Sequence, residues 1–302
     1  MVIDVHAHYY PRAYVERIGR PELPVPASAP LGEQGMAERL QLMDRVGIDA
    51  QVLSVSQAQP YLAESSDAQE AAVLGNDLFC EVARQHRGRF YVFAALPLPH
   101  VEAALAEIER AFTQPEVVGV TIGCSIGTYQ IDDPRFEPVW QALNARKTTV
   151  FLHPMGHENL PWLADYNLAW QVGAPFEDTV AALRLVASGI VRRYPEIRFI
   201  VPHLGGTIPF LWERILGQSR SPSVAEDLKR LYYDTVSRSV RSATCACQTL
   251  GADRLLFGTD YPYCNEAAFE RHYQFLDELG LDQATVRQIR GDLAARILGI
   301  AR

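Results

Sequence analysis

The chain has 302 residues, 48% of them apolar and 21% charged, with a formal net charge of −8. Length and composition suit a globular protein with a large core, as one large domain or two small ones; the strand–helix pattern below favours a single domain over residues 1–302. The acidic balance excludes a broad nucleic-acid or anionic-membrane surface, and no apolar run approaches the length of a membrane span.

Short apolar runs alternate with helical periodicity from one end of the chain to the other. The first run, 2–6 (VIDVH), leads into IDVHAH. Alternation along a strand puts His6 and His8 on one side, where two neutral imidazoles can share one metal ion. The plain alternative is a polar pair leaving a buried strand for solvent. The N-terminus has no basic stretch followed by an apolar one, so no signal peptide is expected. Residues 19–34 (GRPELPVPASAPLGEQ) read as a loop inserted after the first strand. In MAERLQLMDRVG, Leu40, Met43 and Val46 share a helix face and Gly47 is a stop. Further runs at 50–55, 90–95, 117–122, 148–152, 197–201, 230–234 and 254–258 are short and rich in Val, Ile, Leu, Phe or Tyr, as buried parallel strands are. Helices are predicted over 68–86, 101–112, 134–145, 177–193, 239–250 and 265–279, with Pro134 in a first turn behind Asp132 and Asp133. A last helix over 283–299 is expected to cover the outside.

Eight strands, each followed by a helix, predict an α/β fold: a (β/α)8 TIM barrel with a loop insertion after the first strand and a C-terminal helix. A doubly wound open sheet would need a glycine-rich phosphate-binding turn after its first strand, where this chain has His-Ala-His. The five cysteines, Cys80, Cys124, Cys245, Cys247 and Cys264, are scattered and read as reduced thiols of a cytoplasmic protein. Cys245 and Cys247 lie about 200° apart around a helix axis and read as packing residues.

Active sites of such barrels lie at the C-terminal strand ends. The first strand ends with Asp4, His6 and His8, the fifth runs into His153 (TVFLHP), the sixth into His203 (FIVPHLGG) and the eighth into Asp260 (LLFGTDYP). Three histidines and a carboxylate suit Zn²⁺ with a position left open, so His6, His8, His153 and Asp260 are the ligand candidates. His203 is then the proton shuttle beside them. The loop 154–174 is long and aromatic; Trp162, Tyr166 and Trp170 form either a lid over the mouth or a hydrophobic cap or dimer contact. Tyr9, Tyr261 and Tyr263 are candidates for the pocket wall; His157 reads first as an ordinary loop residue, with a place in the pocket or behind the ligands as the alternative. His86, His100 and His272 read as solvent-facing.

The motifs HAH, LHP, PHLGG and FGTDYP, with MDRVGIDAQVLS, DDPRFEPVWQAL and VRRYPEIRFIVPHLGG, resemble the amidohydrolase superfamily over essentially the whole chain. The branch is the amidohydrolase-related group typified by aminocarboxymuconate-semialdehyde decarboxylase. The resemblance implies a distorted (β/α)8 barrel with one divalent metal, zinc first and manganese second, held by His6, His8, His153 and Asp260, with His203 as acid–base residue. Two-metal members bridge their ions with a carboxylated lysine near the fourth strand. VVGVTIG has no lysine there, which favours the mononuclear branch. Arg214, eleven residues after His203, matches an arginine that in the decarboxylase reaches a substrate carboxylate in the neighbouring subunit. The resemblance thus implies a homodimer with shared sites; the plain reading of Arg214 is a surface residue paired with Glu213 or solvent. The decarboxylase also carries a longer insertion with a second substrate-binding arginine. Arg20 is the one arginine in 19–34 and gives no match, so that substrate is not carried over. Some relatives that decarboxylate phenolic acids carry Glu-x-His at the first motif; this chain has His-x-His, so that subgroup is a less direct match.

The expected function is a metal-dependent, non-oxidative decarboxylase of a small unsaturated or aromatic carboxylic acid. The metal would anchor substrate or water, His203 and Asp260 would move protons, and Arg214, Trp162 and Tyr263 would bind substrate. The alternative on the same residues is a hydrolase of a lactone, ester or amide, or a hydratase, acting on a similar acidic substrate. A non-catalytic scaffold would have lost a ligand or the proton carrier, and this chain keeps the full set.

Overall fold

The computed structural model describes residues 1–19, 33–156 and 160–301. Eight strands, β1 Ile3–His8, β2 Ala50–Ser54, β3 Phe90–Ala95, β4 Val117–Gly123, β5 Thr149–His153, β6 Arg198–Val201, β7 Tyr232–Asp234 and β8 Leu255–Leu256, pair in parallel and in chain order. Main-chain bonds between β1 and the segment after β8 close the ring. Val5 N donates to Phe257 O (2.9 Å), Asp260 N to His6 O (2.8 Å) and His8 N to Tyr261 O (2.7 Å). This is the predicted (β/α)8 barrel. Most of the insertion after β1, residues 20–32 with Arg20, and His157 lie outside the described residues. Among the described residues no helix is long and apolar enough to cross a membrane.

β1 departs from plain alternation. Its register against β2 shifts between Asp4 and Ala7. Ile3 and Val5 join an interior apolar cluster with Val52, Phe93, Phe151, Ile200 and Leu256. Asp4 turns away from the metal-ligand candidates. Its carboxylate accepts bonds from His6 N and Thr259 N (both 3.1 Å), Gln51 Nε2 (2.8 Å) and Thr259 Oγ1 (2.7 Å). One buried carboxylate thereby ties β1, β2 and the segment after β8, while burial pushes its pKa up to about 6.

The opposite strand faces pack on the helices in a second, larger cluster that includes Trp140, Phe199, Leu185 and Ile108. The C-terminal helix does not cover the outside as the sequence suggests. Leu293, Ile297 and Leu298 belong to the interior cluster, and Thr149 Oγ1 at the start of β5 donates to Ile297 O (3.1 Å). The tail therefore plugs the bottom of the barrel and leaves the C-terminal mouth free. The tail is also not one helix. Between Gln283–Arg287 and Leu293–Leu298 it widens into a π turn over Gln288–Asp292, where a Cβ on Gly291 would stand 2.0 Å from Met1 O. The predicted helix 177–193 is likewise split, into Ala174–Ala187 and Ile190–Arg193, by Gly189 at φ 78°.

The last two strands are shorter than expected because other groups take their ladder bonds. Arg230 N and Leu231 N bond back to Asp227 O and Leu228 O. Beyond β8, Phe257 N donates to Ile289 O, Gly258 N to Thr235 Oγ1 and Thr259 N to Asp4 Oδ1.

Candidate active site

The mouth of the barrel gathers His6 and His8 from β1, His153 from the end of β5 and Asp260 from beyond β8. Each offers one ligand atom, and those atoms lie within 4.8 Å of one another. The second nitrogen of each imidazole is already engaged. His6 Nδ1 bonds Asp234 Oδ2 (2.6 Å), His153 Nδ1 bonds Pro154 O (2.7 Å) and His8 Nδ1 bonds Ser54 Oγ (2.8 Å). A carboxylate and a carbonyl only accept, and Ser54 directs its own hydroxyl at Ala7 O. In the neutral imidazoles each Nδ1 therefore carries the hydrogen and each Nε2 keeps its lone pair, that of His153 standing 3.1 Å from Ser56 Oγ.

Bare lone pairs then face one another. His6 Nε2 and His8 Nε2 are 3.1 Å apart, and Asp260 Oδ1 stands 3.2 and 3.1 Å from them. Such an arrangement is repulsive unless a proton or a metal cation sits inside it. Bonds of about 2.0–2.2 Å to a tetrahedral ion place neighbouring ligand atoms roughly 3.3–3.5 Å apart, close to the spacings here. The donor set fits one divalent cation of the borderline kind that accepts imidazole and carboxylate. Asp234 and Pro154 supply the outer bonds that hold such ligands in orientation.

Electrostatics agree with this fit. Burial drives His8 down to about 4 and His153 well below its ordinary value, so both are the neutral imidazoles a metal requires. Burial would lower His6 too, but the carboxylates of Asp234 and Asp260 outweigh it and hold His6 up at about 10. Burial favours a neutral Asp260, yet His6 and His8 hold its carboxyl well below the usual range.

His203 stands beside this cluster, its ring centroid 5.3 Å from that of His6. Its main-chain N donates to Asp234 Oδ1 (2.8 Å), so Asp234 grips both the candidate ligand His6 and the turn that carries His203. The ring Nδ1 bonds the fully buried Asp178 Oδ2 (2.8 Å). Burial works against a charge on His203, but Asp178 more than offsets it and raises the pKa. Burial in turn pushes Asp178 up to about 6.

Two connected cavities open over these groups. The inner one, about 520 Å³, is lined by Ser56, His153, Asn167, Trp170, His203, Arg238, Asp260 and Tyr263 among others. The outer one, about 630 Å³, adds Phe210, Arg241, Cys245 and His272. Five of the inner lining residues, Ser56, Asn167, His203, Arg238 and Asp260, are non-glycine residues with φ between 53° and 60°. A left-handed backbone costs an L-residue free energy, so its concentration around one chamber marks side chains aimed by the surrounding fold.

Of the substrate-binding candidates, Tyr263 lines both cavities, its hydroxyl 2.7 Å from that of Tyr10 and accepting from Gln57 Nε2 (2.9 Å). Trp162 does not line either; it is 69% exposed, and Trp170 of the same loop takes the wall position. Tyr166 is also exposed. Arg214 lies exposed on the helix Ile208–Gln218, outside the lining of either cavity in its own chain. Tyr9 packs on Phe79, and Tyr261 packs on Phe269 under the Arg39 guanidinium, so neither lines the chamber. His272 corrects its expectation: it is 2% exposed and borders the outer cavity, because its helix Glu266–Gln274 leans over the mouth. Cys245 also borders that cavity, whereas Cys247 packs against the core. Asp178, Asp234, Ser54 and Arg238 went unnoticed in the sequence. Asp234 could have been found by the same rule that found the others, since it ends an apolar strand. Asp178 sits mid-helix with no such signal.

A family model described as Amidohydrolase matches residues 3–300. The 2-amino-3-carboxymuconate-6-semialdehyde decarboxylase of Dictyostelium discoideum is 27% identical over 74% of this chain and 66% of its own length. The gamma-resorcylate decarboxylase of Polaromonas sp. is 30% identical over 75% of this chain and 77% of its own. Among solved structures, Metarhizium anisopliae IDCase in apo form superimposes with a TM-score of 0.83 at 26% identity, covering 99% of this chain and 97% of that one. The kinship marks the chain as an enzyme, a decarboxylase or a related hydrolase. With its ring of strands, its His/Asp cluster and a match that runs from β1 to the tail, the chain belongs to the amidohydrolase family.

Proposed function

We propose that the protein is a metal-dependent, non-oxidative decarboxylase of a small aromatic or unsaturated carboxylic acid. The observation that carries the reading is the pairing of two unlike devices across one chamber. On one wall stand bare imidazole nitrogens and a carboxylate that call for a cation. On the other stands an imidazole whose pKa is raised by its bond to a buried acid. The decarboxylase names of two relatives support it further.

His6, His8, His153 and Asp260 would hold the ion, zinc or manganese. Bound there, it would stabilise negative charge on the substrate's carboxylate and a neighbouring oxygen. His203, its Nδ1 locked on Asp178, turns Nε2–H toward the chamber and delivers a proton to the carbon that bears the carboxylate. The C–C bond to the carboxylate then breaks, its electron pair restores the conjugation lost on protonation, and CO₂ leaves. The product carries the proton in place of CO₂, so no oxidant or organic cofactor is consumed. Asp260 borders the chamber and is the second proton carrier. Trp170 and Tyr263 wall the chamber and limit water around the reacting carbon.

A panel of phenolic and conjugated acids beside lactones tests this on the metal-loaded protein. We expect CO₂ from at least one acid without added oxidant. Lactone opening with no CO₂ from any acid would replace this reading with the hydrolase.

In the same reading the protein is a homodimer, with the partner subunit's Arg214 reaching the chamber mouth. Support comes from Arg214 being exposed without an ion-pair partner among the described residues, and from the uncovered apolar side chains Trp162, Tyr166, Phe176 and Phe210. Sedimentation equilibrium is expected to give twice the chain mass, and a monomer at all concentrations would remove the shared site.

A further inference from the structure

We propose that Arg238 binds a second, retained carboxylate of the substrate, so that the chamber is built for aromatic or unsaturated dicarboxylic acids. The inference deepens the decarboxylase reading and rests on it: one acid group lies at the His/Asp cluster and is lost, and the other is held by Arg238 and kept.

Arg238 lies four residues beyond the end of β7, on the loop into the helix Val240–Leu250. It lines both cavities, and among the residues that line both it is the one arginine or lysine. Its backbone is left-handed at φ 58°, as are those of His203 and Asp260 at φ 53° and 60°. Arginine has no intrinsic preference for that region, so the fold holds this side chain at the chamber at a cost, as it holds the two proton carriers.

The guanidinium has no hydrogen-bond or ion-pair partner among the described residues. Arg184, Arg192 and Arg290, by contrast, each bond an aspartate of the same chain at 2.5–2.7 Å. The one acidic residue lining either cavity is Asp260, and its Oδ1 faces His6 and His8. No protein carboxylate of the chamber is therefore left to neutralise Arg238. Arg241, also without an ion-pair partner among the described residues, adds a second positive charge to the outer cavity. A substrate with one carboxylate would satisfy the cation cluster and leave Arg238 unanswered. A planar fork of N–H donors matches a carboxylate through two parallel bonds. A site arranged to pair a charged substrate group also discriminates against the analogue that lacks it.

Calorimetric titration of the metal-loaded protein with isophthalate, terephthalate and benzoate tests the assignment without turnover. The wild type is expected to bind one of the two diacids about 10- to 100-fold more tightly than benzoate, the range of one charge-assisted pair. Arg238→Gln should bring that preference to within about 3-fold, while Arg238→Lys, which keeps the charge and loses the fork, should retain an intermediate preference. Arg238 is exposed, so the variants are expected to melt with the wild type. A wild type with no preference for either diacid, or an Arg238→Gln variant that keeps the preference, would overturn the proposal. If every acid fails to release CO₂ while the Arg238-dependent preference stands, the decarboxylase reading falls and the binding assignment survives.

Discussion

Turnover is expected to fall at least about 10³-fold in kcat/KM when the cation is removed, either by a chelator or by His153→Ala. A single well-placed electrostatic stabiliser already contributes about 10²–10³, and a divalent ion opposite a developing charge contributes more. The geometry says why loss of one ligand suffices. His153 Nε2 belongs to a set whose atoms lie within 4.8 Å of one another, and the other imidazoles are supported separately, by Asp234 and by Ser54. Truncating His153 leaves two imidazoles and Asp260, a weaker donor set with one more water-accessible position. Metal analysis should read one ion per wild-type chain and none in the stripped protein or the variant after dialysis. Added Zn²⁺ or Mn²⁺ should restore activity to the stripped wild type and not to His153→Ala. A His153→Ala protein that keeps a full equivalent of metal and its rate would show that the cluster is not the catalytic centre.

Much of the site was legible because barrel topology does the gathering. A strand of four to six apolar residues that ends in a histidine or aspartate is visible in one dimension. Parallel strands around a ring then bring those ends together whatever their separation in sequence. His6, His8, His153, His203 and Asp260 all announce themselves this way, and the eight strands that carry them lie close to their predicted places. What was hidden depends on side chains competing with the backbone. The irregularity in β1 is set by Asp4, whose carboxylate draws His6 N, Gln51 and Thr259 to itself. Plain alternation would have turned Asp4 inward with the histidines. The short β8 has the same origin, since Thr235 and Asp4 accept bonds that a neighbouring strand would otherwise take.

Helices conceal more than strands. An amphipathic pattern says that one face is buried, not against what. The tail helix shows an apolar face that fits the outside of the barrel or its floor equally well. Only the close approach of Gly291 to the first residue of the chain selects the floor. His272 looked like a polar residue on a surface helix, yet its helix lies across the mouth, so a polar face points inward there. Asp178 is the costliest omission. It sits among Ala181, Ala182 and Leu185 on a helix that reads as ordinary core packing, and its task is defined by His203, whose turn lies 25 residues later.

Asp178→Asn is accordingly expected to lower kcat by about 10²-fold or more with little change in KM, within the usual range for a lost general acid–base function of about 10²–10⁴. The amide still fills the space and can still accept from His203 Nδ1, so the loss isolates charge from shape. The pH profile separates this role from a merely structural one. His203 is raised because the charge and hydrogen bond of Asp178 more than offset burial. Without that charge, burial wins and the imidazole gives up its proton at lower pH. An acid in its protonated form works below its pKa, so the alkaline limb of kcat should move to lower pH in Asp178→Asn. His203→Gln should cost as much and abolish that limb. The double variant should cost little beyond either single one, because the two residues act as one unit. An Asp178→Asn enzyme with an unmoved alkaline limb would mean that His203 keeps its proton by some other contact, and the other carboxylate that raises it is Asp234, which accepts from His203 N.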